Sequence, residues 1–96
     1  MRLVFGPEAE AELAAAFDYS ESVASGLGLA LIEDLDTLVR RIRGNPALYV
    51  QVHGFMRRAV LRRFPFGVFY TFDETEIRVN AFLHVAGDPR VWPGEH

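Results

Sequence analysis

The hydrophobic pattern of this chain changes period once, and the change falls at Asn45-Pro46. Ahead of it the apolar residues recur at helical spacing: Ala9, Leu13, Ala16 and Phe17, then Leu31, Leu35, Leu38, Val39 and Ile42. Beyond the loop containing Tyr49 to Gly54 they alternate with period two, as half-buried strands do. A chain written this way segregates its helices from its strands, which predicts an α+β domain. Pro7 fits the first turn of the first helix, and Ser25-Gly26-Leu27-Gly28 breaks it. A second helix begins between Leu27 and Leu29 and stops at a basic last turn followed by Gly44 and Asn45-Pro46. Leu3-Val4-Phe5 forms a short N-terminal strand that ends at Gly6-Pro7. The expected architecture is an N-terminal strand and a helical hairpin packed on one face of a small antiparallel sheet of about four strands. All 96 residues belong to one domain, 1–96.

In the strand half, Asp73-Glu74-Thr75-Glu76 separates two runs, and placing Phe72 opposite Ile77 gives a consistent register. Phe66, Val68, Tyr70, Phe72, Ile77, Val79, Ala81 and Leu83 then share an apolar face toward the helices. The other face receives Gly67, Phe69, Thr71, Arg78, Asn80, Phe82 and His84. Pairing the 57–63 segment across a turn at Phe64-Pro65 adds Ala59 and Leu61 to the first face and Arg58, Val60 and Arg62 to the second.

Charge is strongly segregated along the chain. All ten basic residues are arginines, and seven of them (Arg40, Arg41, Arg43, Arg57, Arg58, Arg62 and Arg63) fall in a stretch without a single acid. In formal charge, residues 1–39 carry −7, residues 40–63 carry +7 and residues 64–96 carry −3. Such a distribution points to an anionic partner: nucleic acid, an acidic protein surface or an acidic peptide. The plainer alternative is a solvated strand edge facing the acidic helices. Mixing Arg58, Arg62 and Arg78 with Phe69 and Phe82 favours a docking face, with aromatics as anchors and arginines as orienters. Leu31, Leu35 and Leu38 are expected to line a groove that a partner helix completes.

Several chemistries find no support. The chain has no cysteine, hence no thiol nucleophile or thiolate metal site, and His53 and His96 lack a partner at ligand spacing. No cofactor or metal is expected. No apolar run reaches membrane-spanning length, and a cytosolic protein is the natural expectation. Ser20, Ser22 and Ser25 sit in no nucleophile motif. His84 could transfer protons or orient the Asp88-Pro89 turn, and Trp92 could touch a target or pack over the sheet.

The Gly26-Leu27 break, Ile42-Arg43-Gly44-Asn45-Pro46, the run from Arg57 to Tyr70, and Val79 to His84 leading to Asp88-Pro89-Arg90-Val91-Trp92 together resemble the ParE/RelE superfamily of type II toxins. The resemblance runs nearly end to end and is closest to the ParE-like, plasmid-stabilisation branch. It implies a toxin neutralised by a cognate ParD-like antitoxin in a hetero-oligomer that reaches operator DNA only through the antitoxin. It also implies DNA gyrase as the target. Arg57, Arg58, Arg62, Arg63, Phe69, Arg78, Phe82, Arg90 and Trp92 are the expected contacts for target or antitoxin. Ribosome-dependent nucleases of the superfamily supply a strand arginine, C-terminal basic residues and often a tyrosine. By rough alignment this chain has Gly67, Ala86-Gly87 and Trp92 there, so the nuclease set is largely absent. Arg58, Arg62 and His84 remain as weak catalytic candidates. The alternatives are an mRNA interferase and an inactive toxin retained as antitoxin partner or corepressor.

Overall fold

Proline at the first helical position and glycine at the breaks set the helical boundaries. The computed structural model describes residues 1–85. Strand β1 (Arg2–Phe5) runs through Gly6 into helix α1 (Pro7–Val23), and helix α2 (Leu27–Gly44) follows. A single 3-10 turn (Pro46–Leu48) leads to β2 (Val50–His53), β3 (Met56–Val60), β4 (Phe66–Phe72) and β5 (Glu76–His84). Gly26, with φ of 89°, supplies the left-handed residue that reverses the chain between the helices. At Gly28 a Cβ atom would lie 2.8 Å from both the Phe17 ring and Glu21 Cγ, so only glycine allows the helices to approach this closely. The Gly28 N–H donates to Glu21 Oε2 at 2.6 Å, so α1 caps α2 from across the hairpin.

The sheet has five strands in the order β1-β5-β4-β3-β2 and is mixed, because β1 pairs with β5 in parallel. Two strands thus depart from the expected four-stranded antiparallel sheet. The helical hairpin and three strands separate β1 from β5 along the chain, a partner too distant in sequence for periodicity to identify. Strand β2 is a four-residue edge strand within the expected loop, bulged between Gln51 and His53 and barely buried.

The expected pairing of Phe72 with Ile77 is present, but a bulge at Asn80 changes everything beyond it. Tyr70 pairs with Val79 whereas Phe69 pairs with Ala81, so Asn80 is an extra residue. Its amide donates to Thr71 Oγ1 at 3.2 Å and to the Arg78 carbonyl at 3.3 Å. Asn is a poor strand former whose side chain binds nearby polar groups, which suits it to a bulge. The extra residue inverts the alternation. Phe82 turns into the core opposite Val68, where its ring stacks on Phe66 with centroids 5.0 Å apart. Ala81 and Leu83 move to the second face. The expectation that Phe82 belongs to a docking face is therefore corrected.

The helices cover one face of the sheet. Ala9, Ala16, Leu31, Leu35, Leu38 and Ile42 pack on Ala59, Leu61, Val68, Tyr70, Ile77, Val79 and Phe82. Leu31, Leu35 and Leu38 are 0%, 5% and 6% exposed, so the sheet already covers them and the three do not form an open apolar groove, although Leu38 borders a small cleft. The β5 edge beyond the end of β1 is closed by α1, where Glu12 Oε1 accepts the Phe82 N–H at 2.9 Å. In the β4–β5 turn, Asp73 Oδ1 accepts from Glu76 N, Thr75 N and Thr75 Oγ1. The backbone N–H donors of Glu76 and Thr75 stabilise the ionised form and hold this carboxyl below its usual range.

Candidate functional site

Arg40, Arg41 and Arg43 stay on the end of α2, and the four arginines from Arg57 to Arg63 end up in three further places. Arg57 lies on the helix-facing side of β3, paired with Tyr70. Its guanidinium donates to the carbonyls of Ala47 and Tyr49 and lies 5.7 Å from the centre of the Phe72 ring. Tyr70 donates its hydroxyl to the Pro46 carbonyl at 2.6 Å. Arg57 and Tyr70 together fasten the 3-10 turn to the sheet. Burial pushes the Tyr70 hydroxyl up to about 12, against the opposing effect of the Arg57 charge.

Arg58 faces the other side, between Val50 on β2 and Phe69 on β4. Phe69 is fully buried there. Arg58 Nε and Nη1 are buried without a hydrogen-bond partner. Gly67 explains the close packing: a Cβ atom at this position would lie 3.1 Å from Val85 Cγ1, 3.3 Å from the Phe69 ring and 3.6 Å from Arg58 Cγ. A side chain at this position would require these neighbours to shift by a few tenths of an ångström.

Arg62 and Arg63 belong to the four-residue connection 62–65, which is closed by the Leu61 N–H to Phe66 carbonyl bond. The buried Asp34 of α2 accepts the Arg63 backbone N–H at 2.8 Å, and Arg63 Nη2 donates to the Ala30 carbonyl at 3.2 Å. These bonds hold the connection against α2 and frame a cleft of about 390 Å³ lined by Glu33, Asp34, Thr37, Arg62 and Arg63. The Arg62 side chain is exposed at this cleft. A smaller extension runs past Leu38, Arg41, Tyr49 and Val60. The cleft carries both charges, which suits a peptide that brings carboxylates to the arginines and donors to the acids.

Arg78 sits across from Thr71 near the opposite edge of the sheet. Its guanidinium donates to Glu76 Oε2 at 3.2 Å, and Arg2 donates to Glu76 Oε1 at 3.0 Å. These ion pairs are largely exposed and contribute little to stability. The expected single face of Arg58, Arg62 and Arg78 with Phe69 and Phe82 is therefore not assembled. Arg58 and Phe69 remain neighbours, Arg78 stands apart on the same side, Arg62 faces α2, and Phe82 is core. His84 is exposed at the end of β5 with its ring edge-on to Phe66 at 5.3 Å, whereas Arg58 is in the body of the sheet. The three catalytic candidates do not converge. Arg90, Trp92 and the Asp88-Pro89 turn lie outside the described residues. Among the described residues, no group of three or more His, Asp or Glu side chains is placed to hold a metal ion.

One exposed residue escaped the sequence reading. Phe55 is 85% exposed at the tip of the β2–β3 hairpin. The signal for that hairpin is His53-Gly54-Phe55, a glycine at the first central position of a two-residue turn.

No family model and no curated protein matches the chain. Among solved structures, the chain is similar to one described as the chromosomal ParDE TA system from P. aeruginosa, with a TM-score of 0.77. The two are 20% identical, and the match covers 88% of this chain and 96% of that one. The fold is ParE-like. The likeness takes in the mixed five-stranded sheet and both helices, which are the elements that position the arginine cleft and the β2–β3 hairpin. Among the described residues no helix is long and apolar enough to cross a membrane.

Proposed function

We propose that this chain is the toxin of a type II toxin–antitoxin module of ParE type, neutralised by a ParD-like antitoxin. The observation that carries the reading is the ParE-like fold over nearly the whole chain. The mixed-charge cleft beside Arg62 supports an acidic antitoxin segment as one ligand, since arginine binds carboxylates in bidentate fashion. Arg62→Glu is expected to weaken antitoxin binding by more than tenfold, about 1.4 kcal/mol.

The toxin acts by binding a protein, by resemblance DNA gyrase, rather than by cutting RNA. Gly67 supports this choice, because it stands where, by rough alignment, the nucleases supply a strand arginine, and glycine cannot stabilise phosphoryl charge. Purified chain incubated with gyrase and relaxed plasmid should block supercoiling or trap cleaved DNA. No effect at large molar excess removes gyrase as the target. Cleavage of ribosome-bound message, abolished by Arg58→Ala or Arg62→Ala, would establish the interferase instead.

A further inference from the structure

The helices cover one face of the sheet, yet a ring on the other face is sealed as well. Phe69 is 0% exposed. Every other large side chain buried to this degree belongs to the core beneath the helices, and Phe69 points away from that core. Its neighbours on the open face close only its flanks. Arg58 and Ala81 stand opposite it on β3 and β5, and Gly67 brings no side chain. The end of a side chain on a sheet is sealed by a second layer, about 10 Å away. The connections 45–49 and 62–65 do not supply that layer, since both are bonded on the helix side. The turns at 54–55 and 73–75 stay at the strand ends. Arg58 requires the same cover: its Nε and Nη1 are buried, and nothing among the described residues accepts from them. A guanidinium held out of water without an acceptor is costly, so a carboxylate belongs beside it.

We infer that residues 86–96 form this layer, folding back from Val85 across the open face, with Trp92 seated on Phe69 and the Asp88 carboxylate accepting from Arg58. Phe69 is buried within a single chain, so the cover belongs to the chain itself. Val85 gives the segment its direction. Its Cγ1 lies 3.1 Å from a Cβ atom built at Gly67, and Arg58 Cγ lies 3.6 Å from the same point, so the end of β5 and Arg58 converge over Gly67. Phe69 is two strand residues beyond, about 7 Å. Asp88 follows Val85 by three residues, a reach of up to about 10 Å, and is the nearer acid of the segment. Val91-Trp92-Pro93 is its most apolar stretch, and half-buried Ala81, Leu83 and Val85 provide an apolar platform beside Phe69. A segment so placed withdraws Arg58 from any substrate and keeps this face from serving as a docking surface.

Trp92 is the only tryptophan of the chain, so its fluorescence reads the segment directly in the full-length protein. Its emission should be blue-shifted, its quenching by acrylamide several-fold slower than in urea, and nuclear Overhauser contacts should join the indole to Phe69 and Ala81. Dilution should change none of these. Asp88→Asn should speed solvent exchange of the Arg58 Nε–H several-fold. An indole as open to acrylamide as in the urea-unfolded chain overturns the inference, and so do indole contacts to the helices instead of β4 and β5. Shielding that is lost on dilution makes a second copy the cover and also overturns it. Unchanged exchange of the Arg58 Nε–H in Asp88→Asn refutes the pairing with Asp88.

Discussion

Replacing Phe82 by alanine should be among the most damaging single changes in the chain. The side chain is 1% exposed, lies opposite Val68 and stacks on Phe66 with the two ring planes 8° apart. Truncating a fully buried phenylalanine removes its transfer free energy and leaves a cavity, together about 3–5 kcal/mol. Offset or parallel ring pairs account for about 0.5–1.5 kcal/mol of such a loss. Domains of this size have a total stability of about 5–15 kcal/mol. At about 4–8 °C per kcal/mol, a loss of about 4 kcal/mol lowers Tm by roughly 16–32 °C. Thermal unfolding by circular dichroism, with urea titration at constant m, reads both quantities. A loss below about 1 kcal/mol is the behaviour of a surface position. That result would place the ring outside the core and refute the bulge at Asn80.

Glu12→Ala should cost about 1–3 kcal/mol by leaving the Phe82 N–H without its acceptor. Faster exchange of the Phe82 amide in Glu12→Ala, but not in Glu12→Gln, is the specific readout. Asp34→Ala removes the acceptor of the Arg63 N–H inside the fold and should likewise cost about 1–3 kcal/mol in urea unfolding, with weaker antitoxin binding from a loosened 62–65 connection. Tyr70 has a folded value of about 12 against an ordinary value of 10.0, so its neutral form is favoured by folding. Its contribution is therefore complete below pH 10 and is lost as pH rises through about 12. Tyr70→Phe should be less stable near neutrality, lacking the bond to the Pro46 carbonyl, but should show a shallower alkaline decline.

Most of the helical half could be read from residue order, because each boundary has a local chemical cause: Pro7, Gly26 and the Arg-Gly-Asn-Pro stop. The core face of β4 was legible for the same reason, since period two holds until a residue is added. Asn80 is that residue, and nothing in apolar alternation marks it. A single bulge therefore moved Phe82, Ala81 and Leu83 to the wrong faces beyond it. The scattering of the arginines has a different cause. Arg62 continues the alternation of β3 on paper, but the chain leaves the sheet at Leu61 to meet Asp34, a contact across 29 residues that no local pattern encodes. Phe55 went unnoticed because an exposed aromatic in a turn looks like any loop residue until the hairpin is known.

Growth after induced expression, with and without the cognate antitoxin, tests the central claim most directly. The antitoxin should be a short neighbouring gene product with a DNA-binding N-terminus and an acidic amphipathic tail. Expression of the chain alone should arrest growth, and coexpression should restore it. Harmless expression of the chain alone would contradict an active toxin and leave a ParE-like fold retained only as an antitoxin partner.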